Sequence, residues 1–393
     1  MPLTADISHH KQQAATPTAW HKGHLADLAL SQDNLIPIIP VAATTPLLPG
    51  YDLWDLWPVQ CADGTTASFA GGTLWMILSA PALPNPDERH GVARIRLMLE
   101  AGGGWTDLGN FMPDGLCPGQ REWAGSAVYD PSTRRITLYY TVAGRRGDTE
   151  VRFEQRLFEV SAVVQCDGRD INFRDWRAPH EIIVSDGISY MHVDGTESVP
   201  GFIKGFRDPA HFCDPTDACR YIVFTASGAH AASRYNGVIG IAMASGSGDS
   251  TIWNTLPPLI DADGLNNELE RPHLIAHRGL YYLFWSTQRH MFAPDGPSGP
   301  TGLYGAVADS VLGPYRPLNG SGLVAANPDE EPRQSYSWWV CHDLSVVSFV
   351  DHWGLKGRAL GEHPELNRAQ FGGTPAPIFQ LMLDGERAKI VAI

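Results

Sequence analysis

The stretch Asp214-Pro215-Thr216-Asp217-Ala218-Cys219-Arg220-Tyr221-Ile222-Val223-Phe224-Thr225-Ala226 decides the fold class of this chain. Its Asp-Pro-Thr opening presets turn dihedrals, because proline fixes φ and a short polar side chain bonds the backbone two residues on. The run from Tyr221 to Ala226 that follows has the β-branched and aromatic composition a strand favours. The same unit recurs at Leu74 to Leu78, Arg94 to Leu99, Ile136 to Val142, Leu157 to Val164, Val238 to Ala244, Leu280 to Trp285, Gly302 to Ala308, Leu344 to Val350 and Ile378 to Leu383. Asn85-Pro86-Asp87, Asp130-Pro131-Ser132 and Ala293-Pro294-Asp295-Gly296-Pro297 punctuate these runs. Gly102-Gly103-Gly104 lacks a following lysine and helix, so it reads as a turn rather than a phosphate cradle.

Helical periodicity is weak except over Thr18 to Leu30, where apolar residues fall near helical spacing; a helix is predicted there, packed outside the sheets. No low-complexity linker divides the 393 residues, and no WD or kelch period counts repeats. The expectation is a single all-β domain: a sandwich, a barrel or a propeller.

A formal net charge of −14, from 29 basic and 43 acidic residues, argues against nucleic acid or an anionic membrane as partner, since either would repel this surface. A neutral small substrate suits it better. No uninterrupted apolar run approaches a membrane span. The segment Met1 to Leu30 carries His9-His10-Lys11 and His21-Lys22 and lacks the apolar core of a secretion leader. The expected location is extracellular, reached without such a leader, with the cytoplasm as the other option. The six cysteines show no CxxC spacing, so neither a zinc site nor a disulfide scaffold is expected; Cys213 and Cys219, six apart, are read as unpaired.

Three segments carry chemistry: Leu53-Trp54-Asp55-Leu56-Trp57-Pro58, Phe206-Arg207-Asp208-Pro209 and Glu268-Leu269-Glu270-Arg271-Pro272-His273. Each sets a carboxylate beside tryptophan or arginine. Cleaving a glycosidic bond needs an anion for the oxocarbenium-like centre and a proton donor for the leaving oxygen. Asp55 lies between two indoles, flat apolar walls suited to a sugar ring, and Pro58 is expected to end its strand. Glu268 and Glu270 alternate, so on a strand they share one face and one pKa is pushed up, with Arg271 moderating the effect. Arg207-Asp208 reads either as a surface ion pair at a turn or as a sugar-binding carboxylate with its guanidinium fork. His211 and His273 read as structural histidines, and Trp338-Trp339 as a pocket rim.

Taken in order, Trp54-Asp55-Leu56-Trp57-Pro58, Glu122-Trp123-Ala124-Gly125-Ser126, Arg207-Asp208-Pro209, Glu268-Leu269-Glu270-Arg271-Pro272, Gly302-Leu303-Tyr304-Gly305, Gly313-Pro314-Tyr315, Leu318-Asn319-Gly320-Ser321-Gly322-Leu323-Val324 and Tyr336-Ser337 resemble glycoside hydrolase family 68, the levansucrases, inulosucrases and related β-fructofuranosidases. The resemblance runs from about Trp54 to Gln380. It implies a single five-bladed β-propeller with a central acidic pocket over residues 46–393, preceded by a partly helical segment over residues 1–45. It also implies a retaining fructosyl transfer from sucrose to a sugar acceptor or to water. Asp55 would be the nucleophile, Asp208 the stabiliser and Glu270 the acid/base. Trp54, Trp123 and Arg207 would line the fructosyl subsite, Glu268 and Arg271 the sugar-binding wall, and Tyr336 would hydrogen-bond the nucleophile. No cofactor or metal is expected.

The chain departs from the family pattern in three places. Ala124 replaces the serine whose hydroxyl touches the nucleophile, so the Asp55 pKa should rise. On the leaving-sugar side, Gln288 stands where arginine or histidine is usual and Thr225 where glutamate is frequent. The aspartate of a calcium site in many members aligns with Asn267. Two other readings compete: a sugar-binding propeller without catalysis, and a related arabinan- or inulin-cleaving enzyme. The three carboxylates argue against the first, and Trp54-Asp55 with Glu268-to-Arg271 against the second.

Overall fold

The computed structural model describes residues 16–168, 170–194, 198, 202–246 and 248–392. The chain is all-β, and the only helices among the described residues are short. Every one of the predicted runs is a strand, usually one to three residues longer than its apolar stretch: Arg220–Ser227 contains Tyr221 to Ala226, and Gln155–Asp167 contains Leu157 to Val164. The β-branched side chains fit a pleated, buried surface on either face.

Ten strands form the largest sheet, built as two antiparallel stretches. One comprises Tyr51–Cys61, Ser68–Phe69, Gly72–Pro81, Arg94–Ala101 and Gly104–Asn110; the other Arg121–Asp130, Arg135–Ala143, Gln155–Asp167, Asp170–Arg174 and His180–Ile183. They are joined edge to edge by a short parallel pairing, Val59 with Ala127 through Cys61 with Tyr129. Three smaller sheets begin with Phe206–Cys213, Glu270–His277 and Ser335–Val340. The lead strands touch in a cycle: Tyr51–Cys61 meets Arg121–Asp130, then Phe206–Cys213, Glu270–His277 and Ser335–Val340 in turn, and the last returns to Tyr51–Cys61. This ring surrounds the main cavity.

Two expectations about secondary structure fail here. Pro58 does not end its strand, which runs on to Cys61. Pairing on the Arg121–Asp130 side starts only at Val59, so the N–H that proline lacks is not needed by that ladder. The predicted helix over Thr18 to Leu30 shrinks to Lys22–Leu25. Thr18–Ala19 is instead a strand parallel to Ile252–Asp261, and Trp20 drives its ring into the core. That indole donates to the Ser321 carbonyl at 2.9 Å and packs edge-on to Trp285 at 5.3 Å. Tertiary pairing outweighs a weak local preference. His9-His10-Lys11 lies outside the described residues.

Cys61, Cys117, Cys166, Cys213 and Cys341 are free thiols. Trp338 and Trp339 are 0 % and 3 % exposed, so they are core packing and not a rim. Trp339 stacks on His273 at 4.4 Å, and the Arg271 guanidinium lies 5.4 Å from its ring.

Candidate active site

Each lead strand loses register at one point: between Trp54 and Leu56, Trp123 and Gly125, Arg207 and Ala210, Glu270 and His273, and Tyr336 and Trp339. Such bulges bend a strand and re-aim its side chains. At four of them a residue other than glycine has positive φ: Asp55 at 40°, Asp208 at 60°, Arg271 at 50° and Ser337 at 62°. A left-handed residue with a Cβ costs about 1–2 kcal/mol, so the ring holds strain where its polar side chains gather.

Buried side chains take up the backbone groups that the bulges release. The Asp208 amide donates to the Thr141 hydroxyl at 2.8 Å, the Trp338 amide to Ser286 at 3.0 Å, and the Arg271 amide to Asp208 Oδ2 at 3.1 Å. His273 Nδ1–H donates to the Arg271 carbonyl at 3.0 Å, which leaves Nε2 to accept from the Val340 amide at 2.9 Å. Burial holds His273 neutral, with its pKa down at about 3. His273 is therefore a structural residue, as its sequence suggested.

The cavity is about 460 Å³, within the usual range for a small-molecule site of roughly 300–1,000 Å³. It brings together all ten residues singled out from the sequence: Trp54, Asp55, Trp123, Arg207, Asp208, Glu268, Glu270, Arg271, Gln288 and Tyr336. Asp55 and Glu270 keep part of their surface open to it, whereas Asp208 and Glu268 are 6 % and 4 % exposed. The Trp54 indole N–H, buried at the wall, has no protein acceptor. Among the described residues no group of three His, Cys, Asp or Glu side chains is disposed to hold a metal.

Arg207 is the electrostatic centre. Its Nη2 lies 2.8 Å from Glu270 Oε1 and 3.1 Å from Glu268 Oε2, and its Nε 3.7 Å from Asp208. It is thus a buried guanidinium among three carboxylates, not a surface pair. Burial works against its charge, but Glu268, Glu270 and Asp208 more than restore it. Burial pushes the Glu268 carboxyl up to about 8, with Arg207 opposing and Glu270 adding to the rise. The group that moderates Glu268 is therefore Arg207 rather than the nearby Arg271. Asp208 is likewise raised to about 6 by burial, against Arg207 and with Glu270 and Asp55.

Arg271 points the other way. Its guanidinium donates to the Ser337 hydroxyl at 2.8 Å and the Leu56 carbonyl at 3.0 Å, and lies over the rings of Trp57 and Trp339. It staples three lead strands together beneath the carboxylates. Tyr336 does not hydrogen-bond the nucleophile position: its hydroxyl donates to Glu270 Oε2. Ser337, the next residue, bonds Asp55 instead. The bulge at this point turns successive side chains toward different partners. Burial raises the Asp55 pKa, while Arg271 and Ser337 pull it back. The rise expected from Ala124 is present, but its largest cause is desolvation, and Ser337 supplies a hydroxyl.

Thr225 is fully buried and does not line the cavity; its hydroxyl lies 3.1 Å from Asp208 Oδ2 and 2.9 Å from the Leu269 carbonyl. It supports Asp208 rather than the leaving-sugar side. Gln288 does line the cavity, Arg289 is exposed, and His290 joins the lining with Arg333 and Asp351. Sequence reasoning missed Ser337's role and the Arg333 and Asp351 contribution. The Tyr336-Ser337 motif held a signal for the first; no local pattern marks the second.

The family model described as Levansucrase/Invertase matches residues 9–235 and 228–393. A levansucrase of Pseudomonas savastanoi pv. glycinea is 30% identical, covering 98% of this chain and 92% of that protein. A levansucrase of Rahnella aquatilis is 31% identical over 95% of this chain and 94% of that protein. The solved inulosucrase from Halalkalicoccus jeotgali bound to kestose is 37% identical, with a TM-score of 0.87 and 96% of each chain covered. The ring of lead strands and its carboxylate-lined cavity define a carbohydrate-active all-β enzyme. The chain belongs to glycoside hydrolase family 68.

Proposed function

We propose that this protein is a retaining fructosyltransferase that uses sucrose. The observation that carries the reading is that Asp55 shares a family 68 cavity with Asp208 and Glu270, the last two facing the Arg207 guanidinium. Asp55 attacks the anomeric carbon of the fructosyl group as the bond to the glucosyl oxygen breaks, and Glu270 gives that oxygen its proton. Glu270 then takes a proton from the incoming hydroxyl as that oxygen displaces Asp55. Asp208 holds fructosyl hydroxyls and offsets the developing positive charge. Trp54 and Trp123 wall the ring, and the free Trp54 N–H is available to a sugar hydroxyl.

We read the sheets as five blades, counting the ten-stranded sheet as two, around an acidic pocket. Residues 46–393 make up this unit and the preceding segment packs on it. The place of action is taken as extracellular.

Within this class the transfer is read as levansucrase-like, to the 6-position of fructose. The 37% identity with an inulosucrase favours a second reading, inulin-type linkage. Incubating the purified protein with sucrose and following free glucose and free fructose tests the first conclusion. Glucose in excess of fructose is expected, and linkage analysis of the product then separates the two readings. Equal release would mean a hydrolase; no release would overturn sucrose as donor.

A further inference from the structure

Behind Glu268, on the side away from Arg207, a lysine ammonium is buried without direct contact to a carboxylate. Lys204 is 6 % exposed, and its Nζ donates to Asn236 Oδ1 at 2.5 Å, Asn267 Oδ1 at 2.7 Å and the Arg234 carbonyl. Three neutral oxygens converge on one cation, which also lies 4.8 Å from the Phe202 ring. A buried charge is costly unless its surroundings hold it, so this arrangement calls for an explanation.

The connections give one. Because the ammonium has only donors, it fixes which end of each facing amide is oxygen. Asn267 must turn Oδ1 to Lys204, and its Nδ2 then donates to the Ile203 carbonyl at 3.1 Å and faces Glu268 Oε1 at 3.4 Å. The Ile203 amide reaches the same Glu268 oxygen at 3.3 Å. Glu268 is thereby held from behind by N–H groups while Arg207 holds its other oxygen. Were the amide to flip, its oxygen would face the carboxylate. The Lys204 carbonyl meanwhile accepts from Gln155 Nε2 at 2.8 Å, and Gln155 Oε1 accepts from Arg207 Nη1 at 3.2 Å. One residue thus touches the supports of both Glu268 and Arg207.

We propose that Lys204 is a positioning residue, an internal cation that orients Asn267 and so fixes how Glu268 and Glu270 share Arg207. Burial and the nearby Arg234 charge bring its pKa down to about 8, with Glu268 opposing, so the ammonium and Glu268 sense one another. The catalytic consequence rests on the fructosyl-transfer reading above; the electrostatic one does not.

The test uses Lys204→Met, which keeps the stem and removes the charge, with Asn267→Ala as a second variant that leaves Lys204 in place. In glutamate-labelled protein, the Glu268 carboxyl is followed by 13C NMR across pH and assigned with Glu268→Gln. Lys204→Met should raise its midpoint by at least half a unit, since a neighbouring positive charge is lost. With sucrose, both variants should lose about 10-fold in kcat with KM within 2-fold and show a displaced pH profile. Methylammonium should partly restore Lys204→Ala. A Glu268 midpoint and pH profile unchanged in folded Lys204→Met would overturn the proposal. If Lys204→Met does not fold, an unchanged profile in Asn267→Ala would do so. If the parent releases no glucose from sucrose, the functional reading fails, and the NMR midpoint still decides the role of Lys204.

Discussion

The backbone amide of Arg271 donates to Oδ2 of Asp208 at 3.1 Å. The link ties two strained bulges, since both residues have positive φ, and it joins the strand carrying Glu270 to the strand carrying Asp208. The site is therefore built from the irregular points of neighbouring strands, with the regular parts of the sheets serving as its frame.

Asp55→Asn and Glu270→Gln should each lower the rate of glucose release from sucrose by about 10³-fold or more, the scale lost with a nucleophile or acid/base group. Circular dichroism and the melting temperature should stay near those of the parent. Activity close to normal in either folded variant would defeat the assignment.

Ser337→Ala removes a hydrogen bond that pulls the Asp55 pKa down. Its carboxyl should then hold its proton to higher pH, and Asp55 must be ionised to attack. The acid limb of kcat/KM is expected to move up by roughly half a unit to one unit, with a smaller change on the alkaline side. A pH–rate series on the two proteins reads this directly.

Glu268→Gln should change how stability depends on pH. The folded carboxyl titrates at about 8, above its ordinary 4.5, so the native state binds this proton more tightly than the unfolded chain does. The contribution is complete below about pH 4.5 and is lost as pH rises through about 8. Urea midpoints between pH 5 and 8 should therefore fall less steeply in the variant. Parallel slopes would show that Glu268 is ionised in the folded protein throughout that range.

Arg271→Lys should cost about 3 kcal/mol of stability along with most activity. A single ammonium cannot reach the Leu56 carbonyl, the Ser337 hydroxyl and two indole faces together. Chemical denaturation measures the first effect. A variant as stable as the parent would show that the staple between strands is dispensable.

The strands found from sequence and the lead strands differ in composition. Arg220–Ser227, Gly237–Ser245 and Leu280–Thr287 have continuous apolar stretches and lie inside sheets, so composition alone marks them. None of the lead strands stood out in that way. Phe206–Cys213 contains Arg207-Asp208-Pro209, and Glu270–His277 opens on Glu270-Arg271-Pro272. Charges, prolines and a bulge erase the period-two pattern at the places where the chemistry sits. There the motifs spoke instead, and each of the ten residues they marked lines one cavity.

The sequence by itself determined the all-β class, the family and the carboxylates, because short apolar runs between turns and a fixed order of motifs are local properties of the chain. The tertiary structure alone decided who touches whom. Residues as far apart as Leu56, Arg271 and Ser337 meet around one guanidinium, and the partners of Tyr336 and Ser337 are set by a bulge that rotates neighbouring side chains apart. The pKa of Glu268 is likewise a property of burial and of Arg207 and Glu270 beside it, which spacing along the chain does not encode.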